Sequence, residues 1–214
     1  MLRHVASNEL FTILMVVGLV FIGVTKLIYP KRFDEFMSVL GNSNYLKIYI
    51  RDQKFLDKFD ALLFINLIIS VAIFCFIIYR QLIDYKTTNI NILFKLIVGA
   101  GAVILIKVLS ERLIGSLFEI DKLIDQYLFQ KITYKNFLGV LLIPINAVLI
   151  FSISPTLTHI YMAVIFLLII NLIGLIISFK EHQSLIKPNL FYFILYLCAL
   201  EIAPYIILYK VINS

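Results

Sequence analysis

The chain has 214 residues, of which 62% are hydrophobic and only 15% are charged, and its formal net charge is +6. A soluble domain is about half apolar and about a quarter charged, so this chain carries more apolar surface than a water-facing fold of its size can bury. The low numbers of glycine, proline and cysteine exclude collagen-like, disordered and disulfide-scaffold proteins. We therefore interpret the chain as an integral membrane protein.

The positive charge does not indicate nucleic-acid binding, because the basic residues flank apolar segments and form no patch with interleaved aromatic residues. At such positions lysine and arginine hold helix ends at an anionic membrane surface. Both cysteines lie inside apolar runs and are typical of buried hydrophobic residues rather than of metal ligands. We expect the lipid bilayer and other membrane proteins as partners, with no nucleic acid, cofactor or metal.

Six segments are long enough to cross a bilayer, which requires about 20 largely apolar residues per helix. They are residues 10–29, 61–79, 92–113, 137–153, 160–179 and 190–211. The first is not a cleavable signal peptide, because its apolar run is too long and no small-x-small cleavage site follows it. The sequence therefore predicts an all-α, polytopic membrane fold with six transmembrane helices.

The basic residues also predict an orientation. Most of the 19 lysine and arginine residues lie in the first, third and fifth loops or at the helix ends that adjoin them. Because loops rich in basic residues stay on the cytoplasmic side, both termini are predicted to be periplasmic in a bacterial inner membrane.

The first cytoplasmic loop contains a short amphipathic segment. Residues 52–60 place Phe55, Leu56 and Phe59 on one helical face, and Gly41 precedes them in a segment typical of a turn. This pattern predicts a helix that lies in the membrane interface. A docking helix for a partner protein has the same pattern, and the sequence leaves both interpretations open.

The third loop, residues 111–136, has apolar residues at helical spacing. We expect a helix along the cytoplasmic interface, either continuing from the third span or following a kink at Gly115. Glu119, Asp121 and Asp125 form an acidic group there, and carboxylates at this spacing can hold Mg²⁺ against a diphosphate. Enzymes of that kind carry two such motifs, so we interpret the group as a solvated helix face.

The strongest ionisable candidate within a span is Glu201, near the middle of the sixth. Ionisable groups at this depth are costly and usually face the bundle interior. Pro204 has no backbone N–H and therefore frees the carbonyl of Leu200. Together the carboxyl group and this carbonyl form a candidate site for a water, a proton or a cation.

Three other polar residues lie at a depth similar to that of Glu201, by a rise of about 1.5 Å per residue. They are Lys107, Asn146 and Asn171, and Pro144 is expected to loosen the fourth span at the same level. We predict one buried polar cluster formed by these three side chains and Glu201. The cluster fixes the packing of the helices in one interpretation and carries an ion or a proton in the other.

Four blocks of the sequence carry a family resemblance: residues 118–129, 133–139, 142–144 and 191–204. They resemble a membrane family of Bacteroidota catalogued as domain of unknown function 4271, over roughly residues 61–211. This resemblance divides the chain into an N-terminal helix and amphipathic loop, residues 1–60, and a five-helix membrane domain, residues 61–214. It implies a multi-helix inner-membrane protein.

The resemblance brings no assigned reaction, and the sequence contains none of the metalloprotease, redox, esterase or phosphate-loop motifs. We predict no catalytic residue. By analogy with the phylum's envelope machines for secretion and gliding, we expect a non-enzymatic subunit or scaffold of an inner-membrane complex. The alternative is an ion- or proton-linked transporter using Glu201 and Lys107. A membrane enzyme acting on a diphosphate-linked lipid is the third hypothesis.

Overall fold

The structure is a computed structural model, and it describes residues 9–41, 44–49, 57–83, 90–118, 121–152 and 156–181. Within these ranges every regular element is helical and no strand occurs. The elements in chain order are α1 (Glu9–Ile28), α2 (Pro30–Met37), α3 (Asn44–Tyr49), α4 (Lys58–Ile83), α5 (Ile90–Leu117), α6 (Asp121–Ala147), a π-helical segment (Val148–Ser152) and α7 (Leu157–Glu181).

Five helical segments are long and apolar enough to cross a membrane. They cover residues 9–28, 58–81, 90–117, 124–152 and 157–174. This result confirms the all-α, multi-pass membrane fold, and each segment contains most of one of the first five predicted spans. The sixth predicted span, residues 190–211, lies outside the described residues.

Helices α4 and α6 occupy the centre of the bundle, and the interface between them is the most extensive of those described. Within the spanning segments, 56% of α4 is buried inside the chain, compared with 22% of α1 and 17% of both α5 and α7. Those three helices therefore form the periphery. Most of their exposed large side chains are apolar, as a lipid environment requires.

Contacts along α1 and α4 give the relative direction of these two helices. The Phe11 ring lies 5.3 Å from the Phe76 ring, centroid to centroid. Seven residues further along α1, Gly18 packs against Asn66, which lies ten residues earlier in α4. The two helices are therefore antiparallel, as two consecutive membrane crossings must be.

Buried apolar side chains form two clusters, one toward each end of the bundle. The first contains Phe11, Met15, Ile69, Ile73, Phe74, Phe76, Ile77, Leu93, Leu142, Leu149 and Ile160. The second, which we call the aromatic cluster, contains Phe33, Phe36, Val39, Tyr45, Leu46, Phe59, Leu63, Phe129, Tyr134, Phe137 and Ile170. The aromatic cluster ties the short helices α2 and α3 to the central pair α4 and α6.

The first loop differs from the sequence-based expectation. It contains α2, which begins with Pro30 at a position where a missing N–H costs nothing, and α3. Phe59 belongs to the first turn of α4, and its ring packs edge-on against Phe36 at 5.6 Å instead of facing lipid. Residues 50–56, which hold most of the predicted interfacial helix, lie outside the described residues.

The third loop also differs. Residues 121–136 form the first half of α6 and continue into the fourth span without a break, because Ile124 and Phe129 are buried against neighbouring helices. Helix α5 likewise runs through Gly115 without interruption. A Cβ at Gly115 would lie 2.9 Å from Ile124 Cβ, so this glycine permits close packing of α5 on α6.

Candidate functional site

A group of buried amides and a hydroxyl lies within the membrane, between α4 and α6. Asn66 and Ser70 are one turn apart on α4, and Asn146 faces them from α6, all with no more than 1% of their surface exposed. Asn146 Nδ2 donates to the Ser70 carbonyl oxygen at 2.9 Å, and Ser70 Oγ donates to Asn66 Oδ1 at 3.4 Å. We call these three side chains the amide group.

Two glycines allow the helices to approach at this level. A Cβ at Gly139 on α6 would lie 2.8 Å from Leu67 Cα on α4. A Cβ at Gly18 on α1 would lie 2.9 Å from Asn66 Oδ1. Small residues that bring backbones together in this way are typical of packed membrane helices, so α1, α4 and α6 are in direct contact around the amide group.

A second hydrogen bond joins α4 and α6 nearer the end of the bundle. Asn136 Nδ2 donates to the Asp60 carbonyl oxygen at 3.3 Å. Both interhelical bonds connect residues 76 positions apart in the sequence, so α4 and α6 run parallel in one fixed register. At a rise of 1.5 Å per residue the two bonds are about 15 Å apart.

An arginine from α2 completes the polar contacts at this end. The Arg32 guanidinium binds the carboxylate of Asp57, which precedes α4, and its Nη2 lies 3.2 Å from Asp60 Oδ2. Asp57 Oδ1 also accepts a hydrogen bond from the Phe59 backbone N–H, as a helix N-cap does. Arg32 therefore fixes α2 against the first turn of α4.

Aromatic rings surround the same guanidinium. Arg32 Cζ lies 4.4 Å from the Phe59 ring centroid and 4.8 Å from that of Tyr49, distances at which cations are attracted to ring faces. Arg32 Nε donates to the Tyr45 hydroxyl oxygen at 3.3 Å. Burial raises the pKa of Tyr45, so its hydroxyl stays neutral while it accepts this bond.

A separate ion pair joins α5 to α6. Lys131 Nζ lies 2.5 Å from Glu111 Oε1, and the Glu111 side chain has 0% exposure. The ammonium group also lies 5.6 Å from the Tyr127 ring centroid. A carboxylate buried this completely is stable only when a partner compensates its charge, so the pair fixes the packing of α5 on α6.

The structure describes only some members of the polar cluster that the sequence predicts. Asn146 is buried in the amide group, Lys107 is partly buried on α5, and Asn171 is exposed on α7. Glu201 and Pro204 lie outside the described residues, so the cluster as a whole stays a prediction.

The other predicted residues lie on α6 or just before it. Pro144 is exposed within α6, which changes to π-helical geometry four residues later, a common place for a local bend. Asp121 and Asp125 are exposed, and Asp125 Oδ1 lies 3.7 Å from Arg112 Nε. Glu119 lies outside the described residues.

The sequence-based reasoning missed Arg32, Asp60, Glu111 and Asn136. Arg32, Asp60 and Asn136 lie in predicted loops, because hydropathy places charged and amide groups outside the membrane. A signal is present for Glu111, which lies in the last turn of the predicted third span, where that span overlaps the third loop. Its partner Lys131 is 20 residues away, and no local pattern pairs the two.

Comparison with known proteins identifies the family. The sequence matches the family described as Domain of unknown function (DUF4271) over residues 11–212, which confirms the resemblance. The match begins within α1, so it covers all but the first two residues of the five candidate spans. The chain matches no curated protein and no solved structure.

Proposed function

The chain belongs to the DUF4271 family, and we propose that it is a non-enzymatic subunit that gives a membrane complex of the cell envelope a rigid frame. The proposal is based on the way its buried polar side chains connect the helices. The observation that carries this proposal is the fixed register of α4 and α6. Two interhelical hydrogen bonds about 15 Å apart both connect residues 76 positions apart, so neither helix can slide without breaking both.

The buried charges support the same interpretation. Arg32 holds α2 to α4, and Lys131 holds α6 to α5. Polar and ionic contacts of this kind fix one arrangement of packed helices, because any other arrangement leaves a buried group uncompensated. A frame of this kind suits a subunit whose role is to position other proteins.

The peripheral helices supply the surface for partners. Only 17% of α5 and of α7 is buried among the described residues, so most of both helices is left for lipid, for the sixth predicted span and for neighbouring membrane proteins. We propose that a second membrane protein packs along this surface.

The test is affinity purification of the tagged full-length chain from native membranes in mild detergent, with mass spectrometry of the proteins that accompany it. The matched control carries the same tag on an unrelated multi-pass protein of equal abundance. We expect a partner in stoichiometric amount with the chain and absent from the control. Recovery of the chain as a solitary monomer, together with intact envelope complexes in a deletion strain, would contradict the proposal.

We also propose an inner-membrane location with both termini periplasmic. Four exposed lysines support it, because they lie at the end of the bundle where α2 and α3 are found. They are Lys26, Lys31, Lys47 and Lys58, and basic residues favour the cytoplasmic side. A cysteine at position 47, in a chain whose two native cysteines are serine, should resist a membrane-impermeant maleimide in spheroplasts and react after lysis. Labelling before lysis would reverse the orientation.

A transporter driven by an ion or a proton is the second candidate. It is favoured by the position of Lys107, which lies one turn before the fully buried Glu111 and shares its face of α5. In this candidate Lys107 is the counter-charge of Glu201. Replacing Glu201 by Gln preserves the shape of the side chain and removes its charge, so normal growth and ion flux in that variant would end the transporter hypothesis.

A further inference from the structure

Three buried oxygen atoms at the Arg32 end of the α4–α6 interface have no hydrogen-bond partner among the described residues. They are Asp60 Oδ1, Thr133 Oγ1 and Asn136 Oδ1. Thr133 and Asn136 have 0% of their surface exposed. Unpartnered buried polar atoms are costly and therefore rare in folded proteins, so these three atoms require a physical explanation.

The backbone places these three residues in adjoining turns of α4 and α6. Asn136 Nδ2 bonds to the Asp60 carbonyl oxygen, which holds the rest of that amide against the first turn of α4. Thr133 lies one turn earlier on the same side of α6. It is also four residues from both Phe129 and Phe137, two rings of the aromatic cluster that surrounds the start of α4.

The described ion pairs at this place carry unequal charge. Among the described residues, a single guanidinium, that of Arg32, pairs with the carboxylates of both Asp57 and Asp60, which leaves one negative charge in this group of three side chains. Arg32 binds Asp60 through Oδ2, so Oδ1 of the same carboxylate is the oxygen that carries no partner. One further positive charge beside Oδ1 would neutralise the group and bind the other two oxygens.

We propose that Asp60, Thr133 and Asn136 bind a small monovalent cation, Na⁺, between α4 and α6. The ligands are one carboxylate and two neutral oxygens, which suit a hard cation of single charge. Divalent Ca²⁺ sites in proteins draw on several carboxylates and six to eight oxygen atoms. Cation binding is a property beyond the proposed subunit role. A bound cation would connect α4 and α6 at a third point, in addition to the two interhelical hydrogen bonds.

The test uses the purified full-length chain in detergent, with thermal unfolding in sodium chloride and in choline chloride at equal ionic strength, and with binding of radioactive Na⁺. The informative variant is Thr133→Val, which keeps the side-chain shape and leaves the Arg32 contacts intact. We expect Na⁺ to raise the Tm of the wild type. The variant should bind Na⁺ at least about tenfold more weakly than the wild type. In choline chloride its Tm should be no lower than that of the wild type, because the variant lacks an unpartnered buried hydroxyl.

Thr25→Val is the matched control, since Thr25 is equally buried on α1 and its hydroxyl bonds within its own helix to the Phe21 carbonyl. It should keep the full response to Na⁺. The inference is overturned if Na⁺ does not stabilise the wild type, if Thr133→Val responds as the wild type does, or if acidification in choline replaces the Na⁺ effect, which would identify a proton as the occupant. None of these results depends on whether a partner protein is found.

Discussion

The buried pair of Glu111 and Lys131 yields the sharpest test of how this bundle is held together. Replacing Lys131 by Met leaves a carboxylate with 0% exposure without its ammonium partner. Removing one member of a buried pair typically costs about 3–5 kcal/mol of the free energy of unfolding. Replacing Glu111 by Gln should cost less, because the Lys131 side chain is 13% exposed and can reach water through its flexible stem.

The double variant, with Glu111 and Lys131 both replaced by Met, distinguishes the contribution of the ion pair from the cost of leaving one buried charge uncompensated. Exchange of a whole buried ion pair for apolar side chains of similar volume is often neutral or stabilising. We expect the double variant to recover most of the stability that Lys131→Met loses. The measurement is reversible unfolding of the purified chain in mixed micelles, followed by far-ultraviolet circular dichroism.

A control pair lies on the same two helices. Arg112 and Asp125 are 3.7 Å apart, and their side chains are 43% and 49% exposed. An exposed pair contributes about 0–1 kcal/mol, so Asp125→Asn should change the unfolding free energy by no more than that. Equal losses for the exposed and the buried pair, or no recovery in the double variant, would refute the reasoning.

Three further predictions use the same unfolding measurement or a simple addition to it. Gly139→Ala places a methyl group against the α4 backbone and should cost about 1–3 kcal/mol, whereas Gly99→Ala, which meets no atom within 4 Å, should cost nothing. Asn146→Leu should cost about 0.6–1.7 kcal/mol, the range for hydrogen bonds between membrane helices, and the exposed Asn171→Leu should be neutral. Arg32→Lys keeps the charge but loses the planar fork, so limited proteolysis should cut the loop that contains α2 faster than in the wild type.

The sequence predicted the parts of the fold that depend on single segments. A run of apolar residues is long enough to cross the membrane whatever its neighbours are, and each of the five described spans contains most of a predicted one. The basic loops add information of the same local kind. Helical class and the approximate ends of the spans therefore followed without any knowledge of packing.

The buried polar contacts could not be predicted in this way, because each depends on two distant segments. Asp60 and Glu111 look like loop residues until Arg32 and Lys131 are placed beside them, 28 and 20 residues away. For the same reason, the predicted fourth span begins only at residue 137. Lys131 and Asn136 raise the local polarity of α6, yet both satisfy partners inside the bundle.

The parallel pairing of α4 and α6 has a consequence for biosynthesis. The residues that join the two helices are 76 positions apart, and α5 is synthesised between them. At a translation rate of about 5–20 residues per second, α4 waits about 4–15 s after its own synthesis before its partner emerges. During that interval the polar side chains of α4 need other hydrogen-bonding partners, which the insertion machinery, lipid headgroups or water at the bilayer surface supplies. The centre of the molecule can thus assemble only after α6 has been synthesised, and a chain stalled before α6 would hold α4 with its polar side chains unpaired.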